Sequence, residues 1–382
     1  MSKNNMVPSI RFKEFTNAWE QERFNLLFRF VCKKGFKNLP ILAATKENGM
    51  QKRQDINFNV QFNLDNIIKY KLVEPGQFVI HLSSYDSGLA HSAILGVTSP
   101  AYSVVDFINK ENNDDKFWTF ILKSKSFIDK LSSISYGLRV GKSINLNELN
   151  NIQLKSTNLI EQNKISKLFS LLNSLITLHQ RKLNALENLK KTLLEKMFPN
   201  ENSVFPSIRF KEFTNAWEQE RLGNLLNYIR PDNFYTRYDE IPESGKNPVL
   251  TANKSFILGY SNETNTFDKE CIIFDDFTQD FKYVNFPFLV KSSAIKILIN
   301  KNTMFDVYSL FLIMLSVKLE NFGHARHYIN FVQNKNIILC GFHEMKRIRA
   351  IFKHLNSIIT LHQRKLNALE NLKKTLLEKM FV

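Results

Sequence analysis

The chain has 382 residues, enough for two domains of ordinary size, and with 43% hydrophobic residues each could bury a core. Three cysteines, Cys32, Cys271 and Cys340, lie far apart without a CxxC pair, which argues against a disulfide framework or a zinc cage and fits a reducing, cytoplasmic setting. Lys and Arg exceed Asp and Glu by 52 to 36, a formal charge of +16 that suggests a polyanionic partner. No apolar run of signal-peptide length opens the sequence, and the richest apolar stretch, the 14 residues from Met304 to Val317, is too short for a bilayer and contains Asp306, so no membrane role is expected.

Along the chain, the first feature is a box, PSIRFKEFTNAWEQER, from Pro8 to Arg23; it returns letter for letter from Pro206 to Arg221. A long variable segment follows, and then Leu159 to Phe198 runs without Gly or Pro. Apolar residues there recur at three and four: Ile165, Leu168, Leu172, Leu175, Leu178, then Leu183, Leu186, Leu189, Leu193 and Met197. Pro199 ends this predicted helix. At 1.5 Å per residue it makes a rod of roughly 60 Å, and a stripe that long needs another helix to cover it. Its own copy at the C-terminus is the natural partner: from Phe169 and Phe352 onward, 27 of 30 residues are identical. Two copies in one chain favour an intramolecular antiparallel pair through effective concentration.

The variable segments diverge but share landmarks in the same order. Pro40-Ile-Leu-Ala-Ala-Thr-Lys46 corresponds to Pro248-Val-Leu-Thr-Ala-Asn-Lys254, and Phe78-Val-Ile-His-Leu-Ser-Ser84 to Cys271-Ile-Ile-Phe-Asp-Asp-Phe277. Strand-like stretches follow at Ala93 to Val105 and Phe286 to Ile299, then helix-period segments at Phe117 to Leu131 and Phe305 to Leu319. Both reach a glycine turn, Gly137-Leu-Arg139 and Gly323-His-Ala-Arg326. The expected fold is α+β: two similar domains separated by a long antiparallel pair of helices, a coiled coil, with an internal pseudo-two-fold repeat. The divisions are 1–158 for the first box and domain, 159–198 for the first helix, 199–345 for the second box and domain, and 346–382 for the second helix.

Charge is shared unequally. Residues 24–155 hold 17 basic and 11 acidic side chains, whereas 222–345 hold 12 and 13; the helical stretches 159–198 and 346–382 hold 7 against 3 and 9 against 2. Much of the excess therefore sits on the predicted helices, where lysines on a solvated face also account for it.

A search for chemistry returns little. Tyr136-Gly-Leu-Arg-Val-Gly-Lys-Ser143 fails as a phosphate loop because tyrosine stands where the pattern needs its first glycine. Asp268 and Asp280-Phe-Lys282 could be imagined holding magnesium for a nuclease, though such spacings arise readily in a charged chain. His324 and His327 lack a third ligand at helical spacing, and Arg326 between them would repel a cation. No dinucleotide fingerprint, nucleophile elbow or adenine-seating methyltransferase motif appears, so the chain reads as a binder that carries no catalytic or metal residues of its own.

DNA recognition needs cations for phosphates and polar groups on loops for base edges. The first segment offers Lys46, Lys52, Arg53, Ser83, Ser84, Tyr85, Tyr102, Arg139 and Lys142 at predicted strand ends and turns; the second offers Asn253, Lys254, Lys282, Tyr283, Lys291, Arg326, His327 and Tyr328.

With box, domain and helix laid out twice, the whole chain resembles the specificity subunit of type I restriction-modification enzymes. The resemblance is carried by the boxes (Ile10-Arg-Phe-Lys-Glu-Phe15 through Trp19, and Ile208 through Trp217), the Pro-Ile/Val-Leu-x-Ala-x-Lys motif, the Gly-His-Ala-Arg turn and the Ile160-Glu-Gln162 helix start. The second helix start departs from the pattern, reading His343-Glu-Met345 after Gly341-Phe342. The resemblance implies that each variable domain is a target recognition domain reading half of a bipartite double-stranded DNA sequence. It further implies that the helices set the spacer and dock two methyltransferase subunits, with restriction and translocase subunits joining them. No cofactor is then bound by this chain; S-adenosylmethionine, ATP and magnesium belong to partner subunits. The competing readings are a free-standing DNA-binding regulator and a metal-dependent nuclease built on Asp268 and Asp280.

Overall fold

A computed structural model describes residues 6–56, 64–137, 142–200, 203–236, 239–252, 255–301, 304–319 and 327–382. The chain forms two compact units, Met1–Leu178 together with Leu366–Val382, and His179–Lys365.

In the first unit, strand β1 (Glu20–Arg23) is the end of the box, followed by a one-turn helix and β2 (Phe28–Val31). A hairpin of β3 (Leu42–Thr45) and β4 (Gly49–Lys52) comes next, then β5 (Phe78–Ile80), β6 (Ala90–His91) and β7 (Ser103–Phe107). Helices α1 (Asp115–Ile121) and α2 (Lys125–Ser133), strand β8 (Gln153–Ser156) and helix α3 (Leu159–Met197) follow, with shorter strands and turns between them. The central sheet has the order β2-β7-β5-β6, all antiparallel, while β1 pairs with β8. Phe28, Phe78, Phe107, Phe117 and Trp118 are buried in its core, where the Phe28 ring stacks on Phe107 and meets Phe78 and Trp118 edge-on.

The second unit repeats this plan. It runs through β9 (Glu218–Arg221), β10 (Leu226–Ile229), β11 (Asn247–Leu250), β12 (Cys271–Asp275), β13 (Phe281–Val284), β14 (Ile295–Asn300), helix α4 (Val307–Ser316), β15 (Asn336–Leu339) and helix α5 (Phe342–Lys379). Its sheet order is β10-β14-β12-β13, and β9 pairs with β15. The Pro-Ile/Val-Leu motif occupies one place in both units: Ile41 lies in a parallel bridge to Val97, and Val249 is the parallel partner of Leu289.

One predicted element differs. The periodic stretch Phe117 to Leu131 folds as two helices, because Ser124 caps a new one through its hydroxyl, which accepts the Phe127 N–H at 3.2 Å. The carbonyl of Leu122, just before this break, accepts the N–H of Leu89, and Gly88 beside it adopts φ +73°.

Each unit contains part of both long helices. In the first, Ile165, Phe169 and Leu172 of α3 are buried with Met380, and Phe169 meets Phe381 at 5.9 Å between ring centroids. In the second, Ile348, Phe352 and Leu355 of α5 are buried, with Phe198 meeting Phe352 at 6.4 Å and His179 meeting His362. These two contacts run in opposite chain directions, so the helices are antiparallel there. His179 and His362 face each other with Nδ1 atoms 2.8 Å apart, so a single proton lies between them.

The boxes tie these helix ends to the sheets. In the first unit Arg11 donates Nε–H and Nη2–H to the two carboxylate oxygens of Glu161, both at 2.7 Å, and the Ile10 N–H donates to the Lys379 carbonyl at 2.9 Å. In the second unit Arg209 grips Glu344 at 2.7 and 2.8 Å, and the Ile208 N–H donates to Lys196 at 2.8 Å. Glu14 pairs with Lys164, and Glu212 with Arg347. An Arg and a Glu three apart in the box thus meet a Glu and a Lys or Arg three apart on the helix, one face of its first turns. Both helix starts have this arrangement: Gln162 accepts the Asp114 N–H at 3.0 Å, while its counterpart Met345 is buried in the apolar core.

Candidate nucleic-acid interface

The connection after the central strand, β5 in one unit and β12 in the other, holds the groups that could meet a partner. In the first unit this segment turns through a short helix, Ser84–Ser87, held by serine side-chain hydrogen bonds. The Ser84 hydroxyl accepts the His81 N–H at 2.8 Å, and Ser87 donates to the Ser83 carbonyl at 2.8 Å. Around it gather Lys46, paired with Asp86 at 3.0 Å, and Lys142, whose ammonium lies 4.8 Å from the Tyr85 ring centroid. Lys123 donates to the carbonyls of Lys46 and Glu47 and fixes the β3–β4 turn beside them. Burial pushes the His81 imidazole down to about 4; Asp86 opposes this, and Lys123 and Lys46 add to it. His81 is therefore neutral at pH 7. Its ring meets Tyr102 edge-on at 6.2 Å, and burial raises the Tyr102 hydroxyl while the Arg53 charge pulls it back. His81, Ser103, Tyr136, Lys142 and Asn147 are among the residues lining a cavity of about 490 Å³ on this face.

In the second unit the equivalent segment is the turn between β12 and β13. Asp275, at its base, accepts the N–H groups of Phe277 and Thr278 at 2.8 and 3.0 Å. Asp276 is buried: its carboxylate accepts the Tyr328 N–H at 2.9 Å and pairs with Lys296 at 3.3 Å. The Asp276 carbonyl lies 2.5 Å from the His327 Nδ1.

The sequence candidates are distributed unevenly over these places. Lys46, Tyr85 and Lys142 come together at the first turn, with Arg53 near Tyr102, while Lys52 ends β4 opposite Leu42. Ser84 and His327 are fully buried, so their side chains build the turns rather than face solvent. Tyr283 packs against Tyr308 and Phe311 and donates its hydroxyl to Glu270, and burial with that bond raises its pKa. Lys282 is exposed and lies toward α3, where its charge adds to burial in lowering Lys190. Arg139, Asn253, Lys254 and Arg326 lie outside the described residues. Asp268 and Asp280 stand at opposite ends of β12, and among the described residues no three His, Cys, Asp or Glu side chains gather as metal ligands. Among those residues, too, no helix is long and apolar enough to cross a membrane.

Sequence reasoning passed over Leu82 and Phe277, which are 55% and 60% exposed on the two turns. The available signal was a large apolar residue two positions after a buried strand, where turn chemistry favours polar ones.

Comparison with known proteins agrees with this layout. Residues 214–371 match the model of the type I restriction modification DNA specificity domain. Over 128 residues the chain is 38% identical to the specificity subunit of the Escherichia coli type I restriction enzyme EcoR124I/EcoR124II, a stretch covering 31% of this chain and 31% of that subunit. Its fold is that of the S subunit of a type I restriction-modification system from M. genitalium, with a TM-score of 0.67, 15% identity and 99% of each chain covered. Residues 214–371 thus resemble a type I restriction modification DNA specificity domain, and the chain shares the fold of a type I restriction-modification S subunit.

Proposed function

We propose that this chain is the DNA-reading, non-catalytic subunit of a type I restriction-modification complex. Its two domains, 1–158 and 199–345, each read one half of a bipartite double-stranded sequence. The helical segments 159–198 and 346–382 set the unspecified spacer and dock two methyltransferase subunits, which restriction and translocase subunits join. S-adenosylmethionine, ATP and magnesium act on those partners in the cytoplasm. One observation carries the reading: the same sheet order, box-to-helix clamp and turn recur in both units, while the residues on the turns differ. A common frame with two different reading surfaces suits a target whose two halves differ in sequence.

Lys46 and Lys142 are the proposed phosphate contacts of the first domain, with Lys52 and Arg53 on the adjoining hairpin. The second domain, nearly neutral, reads its half-site through hydrogen bonds and shape, drawing phosphate contacts from elsewhere in the complex. The test is co-expression with the methyltransferase subunit followed by methylome sequencing. A bipartite adenine-methylated motif supports the proposal; absence of methylation with a folded complex, or tight specific binding by the isolated chain, counts against it.

A further inference from the structure

We infer that the turn after each central strand carries an apolar reader of base edges, and that Phe277 of the second domain contacts a thymine methyl group in the major groove. This rests on the DNA-recognition reading above and adds the chemistry by which a nearly neutral domain selects its bases.

The turn is built to hold its shape with Phe277 outside. Asp275 takes the N–H groups of Phe277 and Thr278, and its own carbonyl accepts the Gln279 N–H at 2.9 Å. Gln279 sits at φ +60°, a left-handed conformation that costs a non-glycine residue on the order of 1 kcal/mol or more and persists only where neighbours impose it. Asp276 is anchored by Tyr328, Lys296, His327 and, through its own N–H, the Ala294 carbonyl at 3.1 Å. Despite this scaffolding, the Phe277 ring remains 60% exposed. Packing does not explain a ring held in water at the tip of so constrained a turn.

Strand β12 is a buried interior strand paired with β14 as well as with β13, and β13 forms the sheet edge, so the turn between β12 and β13, with Phe277 exposed on it, is the part free to meet a groove. The apolar mark displayed in the major groove is the thymine C5-methyl. Thr278 alongside accepts the Asp280 N–H at 3.2 Å, which leaves its hydroxyl hydrogen to donate to a neighbouring base acceptor. The first domain supplies an independent counterpart. In the aligned sheets Phe78 faces Val105 and Ile272 faces Leu298, which places Leu82 at the position of Asp276, one residue before Phe277 on the corresponding turn, although the local sequences, His-Leu-Ser-Ser and Asp-Asp-Phe-Thr, are unrelated. Each domain thus exposes one large apolar side chain there.

The test uses the complex of the full chain with its methyltransferase subunits. Once its motif is known, each thymine of the two half-sites is replaced in turn by deoxyuridine, which removes only the methyl group. One replacement, confined to a single half-site, should weaken wild-type binding about fourfold, the value of one buried methyl group. The same replacement should leave the Phe277→Ala complex unaffected, with that complex melting at the wild-type temperature. Equal sensitivity of wild type and Phe277→Ala at every position would overturn the inference, as would half-sites lacking any thymine that matters. A wild-type complex that binds no specific sequence would instead overturn the recognition reading itself.

Discussion

Replacing Glu344 with Ala removes one side of a clamp whose side chains are 14% exposed at Arg209 and 3% at Glu344. The Glu344 hydrogen bond holds the Arg209 guanidinium above its ordinary range against the lowering effect of burial, and without it an arginine still keeps its charge at neutral pH. Its two carboxylate bonds, at 2.7 and 2.8 Å, would go unreplaced. Removing one partner of a buried pair costs about 3–5 kcal/mol, and the low end applies here because the guanidinium reaches the rim. With unfolding entropy of roughly 2 cal/mol/K per residue, a unit of this size loses about 8 °C in Tm for about 3 kcal/mol. Glu212→Ala, which breaks the half-exposed pair with Arg347, should cost under about 1 kcal/mol. The double variant Arg209→Met, Glu344→Leu should recover most of the loss, because no charge is then buried alone. Thermal unfolding followed by circular dichroism measures all three. Equal Tm values for Glu344→Ala and Glu212→Ala would refute the claim that the clamp is a buried, coupled device.

Three further outcomes follow from named contacts. His81 is folded neutral with a pKa near 4, below its unfolded value, so its contribution is present above about pH 6.5 and lost as the pH falls towards 4; the stability difference between wild type and His81→Asn should shrink over that window, and a constant difference would contradict it. His362 is likewise depressed, by burial, by His179 and by Lys182 and Lys365, so the double variant His179→Gln, His362→Gln should lose less stability than wild type between pH 7 and 5; identical pH profiles would show that the pair is not coupled. At Gly88, φ is +73° and an added Cβ would lie 2.1 Å from the Leu122 carbonyl oxygen, so Gly88→Ala should lower stability by about 2 kcal/mol or more in urea unfolding, whereas Gly35→Ala, with open space around it, should cost less.

The helices, the doubled plan and the α+β class were legible because each leaves a periodic or literal repeat in the sequence. The clamp was not, since Arg11 and Glu161 are 150 residues apart and no periodicity links them. A trace existed all the same: Glu161 and Glu344 recur at the two helix starts while their neighbours change, Ile160 to His343 and Gln162 to Met345. At the site, residue type predicted location less well. Serine and histidine read as surface groups by composition, yet Ser84 and His327 are consumed by hydrogen bonds that shape the turns. Tyr283 has the chemistry of a DNA contact, but its neighbours on α4 are aromatic and hold it half-buried against the core. Conversely, the hydrophobic pattern gave no reason to leave Phe277 outside, because exposure there depends on tertiary anchoring of Asp275 and Asp276.

Methylome sequencing of cells carrying this chain with its methyltransferase subunit, beside cells in which residues 222–341 alone are exchanged for those of a relative with another specificity, tests the central claim most directly. Two domains reading separate half-sites should give a bipartite motif in which that exchange rewrites one half and preserves the other half and the spacer. A motif changed in both halves, or unchanged in either, would contradict it.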